Sequence, residues 1–350
     1  MIMFGLSEDI TKIVEKNVPR FVKVLKNSLK MKEEEILIIS DHGLEGKKVA
    51  SMLGYGYYLA AKKKKLPTAL LFQDVKKGFM FADEHVVKAM ENLPQNSIII
   101  VAVSNKLGRF GENKSFRIFC HEQKHRFLSA TGLADVSASH FDVFLEAMCV
   151  NYRRMKKKGT AIKKLWDKAS EIRVKTEAGT DVVFNVKGMQ AIANIGEYHQ
   201  PGIGGNMPAG EVYIPPSGID GVNGKVVIDG SMKTDFGAVL LDEPVTITIV
   251  DGRVEKVEGK HALLLEETFQ RFEDRAKYPE RVRLVCELGV GINPGAVLIG
   301  SMIMDEKVLG TAHVAMGSNY WFGGEIRTVF HGDQVFKNPT FYVDGKKMEM

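Results

Sequence analysis

Residues 171–186 read EIRVKTEAGTDVVFNV, two runs of mostly β-branched and apolar residues joined across Ala178-Gly179. Such residues suit a pleated, half-buried surface, and a short glycine-containing link between two runs predicts a β-hairpin. The texture continues downstream. VNGKVVIDG at 222–230 and VTITIVDGRVEKVEG at 245–259 are again short strand-like runs, with Asn-Gly and Asp251-Gly252 read as turns. One helix is expected over Leu263–Ala276. This half therefore predicts a mainly antiparallel β domain.

Upstream of the hairpin the pattern is different. ILIIS at 36–40 is an unbroken apolar run, as expected of a strand buried on both faces of a parallel sheet. Val49–Lys65 carries apolar residues at helical spacing and ends in lysines, which suit a helix C-terminus. Strands are expected at Thr68–Phe72 and Ser97–Ser104, and helices at His85–Asn92 and along Phe141–Ser170. Strand and helix in turn predict a parallel sheet with helices on its faces. The boundary is placed near Asp167. The expected fold is a two-domain α+β chain, with an N-terminal α/β domain at 1–166 and a C-terminal domain at 167–350. SDHGLEGKK, after the first strand, lacks the spaced glycines of a dinucleotide loop.

Composition narrows the function. The 350 residues are 45% apolar and 26% charged, a globular balance. The charge is +5, from 48 Lys and Arg against 43 Asp and Glu. The basic runs Lys62–Lys65 and Arg153–Lys158 read as solvated helix faces, so no nucleic-acid partner is expected. Cys120, Cys149 and Cys286 have no CxxC spacing, which fits a reducing compartment and argues against a thiolate metal site. The N-terminus lacks a secretory pattern, and apolar runs such as Ser97–Val103 are too short for a bilayer. A cytoplasmic protein without a membrane partner is the expectation.

Metal-binding side chains are dense in the C-terminal half. In the strand-like VFHGDQVF at 329–336, His331 and Asp333 project on the same face, a two-ligand plate for a divalent cation. The alternative is a strand with two polar residues turned to solvent. His313 lies among small apolar residues in GTAHVAMG at 310–317, where an imidazole needs a partner. Glu211 sits in NMPAGEVYIPP at 206–216, stiffened by prolines, and Glu287 interrupts the apolar run of CELGVGINP at 286–294. A carboxylate in such a run is costly unless paired or metal-bound. Each has a plain alternative in a Lys or Arg partner. Glu, His and Asp without Cys suit Zn, Co or Mn at a catalytic site.

These segments, in this order, resemble the thermophilic-type metallo-aminopeptidases: aminopeptidase T, aminopeptidase S and PepS, a leucyl aminopeptidase-like group. The resemblance covers the whole C-terminal half and, more loosely, the N-terminal one. It implies a barrel-like catalytic domain, a homodimer, and hydrolysis of N-terminal residues from short peptides through two divalent metal ions per chain (Zn, Co or Mn). It implies Glu211, His313, His331 and Asp333 as ligands, Glu287 as the bridging carboxylate, and Tyr320 as an active-site tyrosine. Glu306 and Glu325 are candidates for the general base, and His199 for a pocket residue. One alternative is a non-haem iron oxygenase, because His313, His331 and Asp333 alone form a two-histidine, one-carboxylate set. The chain also resembles ring-cleaving dihydroxypyridine dioxygenases, which share this architecture. A binding module with a structural metal is the other alternative.

Overall fold

The computed structural model describes residues 4–78, 80–110 and 115–349. The chain forms two compact units, Met1–Arg153 with Gly196–Ala209, and Arg154–Ile195 with Gly210–Met350. The fold is α+β, with a parallel sheet in the first unit and antiparallel sheets in the second.

The first unit is built on strands β1 (Ile36–Asp41), β2 (Thr68–Gln73), β3 (Ile98–Ala102) and β4 (Arg126–Ala130). Its helices are α1 (Glu8–Lys16), α2 (Val18–Leu29), α3 (Val49–Lys63), α4 (Glu84–Glu91), α5 (Phe116–Glu122) and α6 (Phe141–Met148). Strands β1 and β3 are buried along their whole length, which explains their unbroken apolar sequence. Ser7 and Ser115 cap α1 and α5 by accepting from the backbone N–H of Ile10 and Ile118.

The second unit holds the remaining strands, apart from β8 (Gly204–Asn206), in two antiparallel sheets. One contains β5 (Glu171–Lys175), β6 (Asp181–Asn185), β10 (Val222–Ile228), β13 (Val245–Val250), β14 (Arg253–Glu258), β18 (Thr340–Val343) and β19 (Lys346–Lys347). The other contains β7 (Ile192–Asn194), β9 (Glu211–Ile214), β11 (Ser231–Thr234), β12 (Gly237–Leu240), β15 (Val285–Gly291), β16 (Thr311–Gly317) and β17 (His331–Lys337). Helices α8 (Ala262–Glu273) and α9 (Met302–Asp305) complete it, with most of α7 (Tyr152–Trp166). The hairpin at 171–186 forms as β5 and β6, and Asp251-Gly252 turns β13 into β14 with both residues at positive φ.

The structure corrects the sequence reading in three places. Phe141–Ser170 is two helices, and the boundary falls at Arg153/Arg154 rather than after Trp166. The reason lies in packing: Trp166 is fully buried with its ring 5.7 Å from Phe341, so α7 belongs with the second unit. Second, β8 (Gly204–Asn206) pairs in parallel with β4 and so returns residues 196–209 to the first unit. The order of that sheet is β2-β1-β3-β4-β8. A Cβ at Gly204 would stand 2.3 Å from the Phe127 ring, so the close approach requires glycine. Third, Asn223-Gly224 is no turn but part of β10, where Gly224 faces Val182 of β6. Among the described residues no helix is long and apolar enough to cross a membrane.

Candidate metal centre

Neighbouring strands β9, β15, β16 and β17 carry Glu211, Glu287, His313, and His331 with Asp333. What lets these side chains converge is the size of the residues opposite them. Glu287 and Asp333 both face Ala315, one from each side, so the carboxylates lean over a methyl group. His313 faces Gly289, where a Cβ would lie 1.9 Å from His313 Nε2. The imidazole therefore lies across the glycine. A register shift between Val285 and Glu287 kinks β15 just before the ligand, a device that re-aims side chains.

The ligand atoms of Glu287, His313 and Asp333 lie within 4.8 Å of one another, and all three residues are buried. Glu287 Oε1 is 3.2 Å from His313 Nε2, and its Oε2 is 3.6 Å from His331 Nε2. Asp333 Oδ1 is also 3.6 Å from His331 Nε2. His331 Nδ1 lies 2.8 Å from the Ser318 carbonyl, which can only accept, so Nδ1 carries a hydrogen and Nε2 is the nitrogen turned towards the carboxylates. His313 Nδ1 is buried with no hydrogen-bond partner among the described residues.

The charges reinforce this picture. Burial works against a charged ring at His313, but its hydrogen bond to Glu287 and the nearby carboxylates raise its pKa to about 9. Burial likewise opposes a charged His331, yet Cys286 and Asp333 push it well above the ordinary histidine range. Burial raises Glu287, while for Asp333 burial is outweighed by His331 and the net shift is downward. A site that draws protons onto two histidines is a site short of positive charge, and a metal ion would supply it. The donors fit such an ion: imidazole nitrogen and carboxylate oxygen without thiolate. Cys286 Sγ is 3.6 Å from His331 Nδ1, but burial pushes its thiol up to about 11, so it stays protonated.

Other expected residues lie elsewhere. Glu211 Oε1 is 2.8 Å from the ammonium of Lys307, a buried lysine that also pairs with Glu306. Lys307 was missed in the sequence reading, because MDEKVLG has the composition of a surface turn. Glu306 interacts with Asp333, and burial raises its pKa to about 8. Tyr320 is 54% exposed, with the Arg327 guanidinium 3.2 Å from its ring centre. Next to it Trp321 reaches back to His331, ring centres 5.1 Å apart. Glu325 is exposed, and His199 lies in the first unit, where its Nε2 is 2.9 Å from the Asn27 carbonyl.

In fold the chain resembles 2,5-dihydroxypyridine dioxygenase from Pseudomonas putida, with a TM-score of 0.72, 18% identity, and 95% of each chain covered. It also resembles wild-type AmpT from Thermus thermophilus, with a TM-score of 0.61 and 14% identity over 95% of this chain and 97% of that one. None of the curated proteins matches the chain by sequence. The family model described as NicX, 2,5-dihydroxypyridine 5,6-dioxygenase, matches residues 18–349. That match overturns the expected hydrolase: aminopeptidase, protease and peptide substrate all give way to an oxidoreductase family, and the likeness to AmpT is one of fold. The Glu, His and Asp motifs are compatible with both chemistries, which is why they pointed to the wrong one. Spanning nearly its whole length, the match shows that the chain belongs to the NicX, 2,5-dihydroxypyridine 5,6-dioxygenase, family.

Proposed function

We propose that this protein is an iron-dependent dioxygenase that opens the ring of a dihydroxylated nitrogen heterocycle, with 2,5-dihydroxypyridine as the first substrate to test. The family match over residues 18–349 carries the reading. The donor set supports it, since imidazole nitrogens and carboxylate oxygens suit non-haem iron(II). Glu287, His313 and Asp333 would hold the ion, with His331 Nε2 completing the set. When bound, iron supplies the one-electron chemistry that lets molecular oxygen react with an electron-rich ring.

The chain's own residues have definable parts in this. The Ser318 carbonyl fixes the His331 ring and its tautomer, keeping Nε2 aimed at Glu287 and Asp333. Gly289 and Ala315 leave the space in which the ligands meet. Trp321 offers a flat apolar face beside His331, suited to orienting a planar ring by stacking.

The test is reconstitution of the metal-free chain with iron(II) without oxygen, then addition of oxygen and substrate. Oxygen uptake matched by loss of ring absorbance is the expected result, with slower turnover of monohydroxypyridines. If the iron-loaded chain leaves every dihydroxylated ring intact, the reading falls.

A further inference from the structure

Burying a lysine ammonium away from water costs several kcal/mol unless carboxylates surround it. Lys307 is 0% exposed. Its surroundings are specific: Nζ lies 2.8 Å from Glu211 Oε1 and pairs on its other side with Glu306. Burial works against the charge, but Glu211 and Glu306 more than offset it and hold the ammonium protonated. Asn194 Nδ2, 3.4 Å from Glu211 Oε1, supports the same carboxylate. Glu306 in turn interacts with Asp333 of the metal cluster.

The backbone shows that this placement is built in. Gly291 faces Glu211 across β15 and β9, and a Cβ there would stand 2.1 Å from the Val308 carbonyl oxygen. The connection from α9 to β16 thus crosses directly over the glycine. The Lys307 N–H donates to the Met304 carbonyl at 3.0 Å, and its own carbonyl accepts from Asn293 N–H at 2.9 Å. Anchored on both sides of its peptide, the lysine has its ammonium directed between the buried Glu211 and the partly buried Glu306.

We infer that Lys307 stands in for a second metal ion: its ammonium fixes the centre at one ion per chain, and Glu211 with Glu306 is a cation site that opens only when the lysine is removed. This rests on the metal centre proposed above, though not on ring cleavage itself. A divalent ion and an ammonium cannot share the same carboxylates at such distances, because their repulsion is largest where water is excluded. Removing the ammonium leaves Glu211 and Glu306 without their cation, beside Asp333 of the metal cluster, which favours a second divalent cation over two uncompensated carboxylates.

The experiment uses the full chain stripped of metal, with zinc(II) alone as the probe. Binding stoichiometry comes from calorimetric titration and from elemental analysis after gel filtration, with melting curves alongside. The wild type should take one zinc, Lys307→Arg also one, and Lys307→Met two, with a larger zinc-induced rise in melting temperature than the wild type shows. Two ions in the wild type, or one in Lys307→Met, overturns the inference. If Lys307→Met does not fold without metal, it is refolded with excess zinc: recovery with two ions supports the inference, and failure to recover overturns it. A wild type with one ion and no action on dihydroxylated rings ends the dioxygenase reading alone. A wild type with two ions and ring-cleaving activity ends this inference alone.

Discussion

Two groups of carboxylates lie in the second unit, on or beside one of its sheets, and they are neutralised in different ways. In the first, Glu287 and Asp333 face the imidazoles His313 and His331, groups that can surrender their protons to a metal. In the second, Glu211 and Glu306 hold the permanent cation of Lys307. Glu211 stands on a strand opposite Gly291, as Glu287 and Asp333 stand opposite Ala315, while Glu306 caps the end of α9. The difference is the counter-charge, exchangeable in one group and covalently tethered in the other. The same scaffold can therefore build a functional site and a structural one a few residues apart.

Substitutions in each group separate these roles, and the largest effect belongs to the first. Asp333→Ala removes a donor, and metal affinity should fall by more than about 100-fold, beyond the loss that follows when only a supporting residue goes. Turnover should vanish with the metal while the melting temperature of the metal-free chain barely moves. Elemental analysis and melting curves check both halves, and retained metal would remove Asp333 from the ligand set. Glu211→Gln should do the reverse. It leaves a buried ammonium with one carboxylate fewer, and stability should drop by about 3 kcal/mol in urea titrations, with one metal still bound. Loss of the metal together with the stability would merge the two groups into one site.

How much of this could be read from the sequence follows the range of the interactions. The alternating elements of the first unit and the hairpins at 171–186 and Asp251-Gly252 were legible, because local propensity and period decide them. So was the same-face pairing of His331 and Asp333, which follows from strand periodicity. Glu287 was conspicuous as a charge in an apolar run. Lys307 was not, since nothing in MDEKVLG says that the segment folds over Gly291 and turns inward. The strand at Gly204–Asn206 was equally hidden: two glycines carry no strand signal, and their fit to Phe127 and Tyr198 exists only in the folded unit. The ligand motifs suit a hydrolase and an oxygenase alike, so alone they led to the hydrolase, and the family match over residues 18–349 decided against it.

The spacing residues give a smaller and more graded effect. Gly289→Ala places a methyl group where His313 Nε2 now lies. The ring must shift, at a cost of about 1–3 kcal/mol in packing, and metal affinity should fall roughly tenfold, as when a ligand loses its orientation. Parallel zinc titrations of this variant and Glu211→Gln would sharpen the contrast: weakened binding in the first, unchanged binding in the second. Equal weakening in both would show that the two groups are one electrostatic unit.

The smallest effect is expected at Trp321, which tests whether the aromatic loop serves the substrate or the metal. The ring is 61% exposed, so little folding free energy is at stake. Its position beside His331 gives it access to a planar molecule at the centre. Stacking of this kind contributes about 1 kcal/mol, so Trp321→Ala should raise KM for the dihydroxylated ring about fivefold and leave kcat, metal content and melting temperature nearly unchanged. Trp321→Phe should keep most of the affinity, because it preserves a flat apolar face. A fall in metal content, with KM unaltered, would mean that the indole holds His331 in place instead of the ring. The loop would then belong with the ligands, and substrate orientation would have to come from another face of the site.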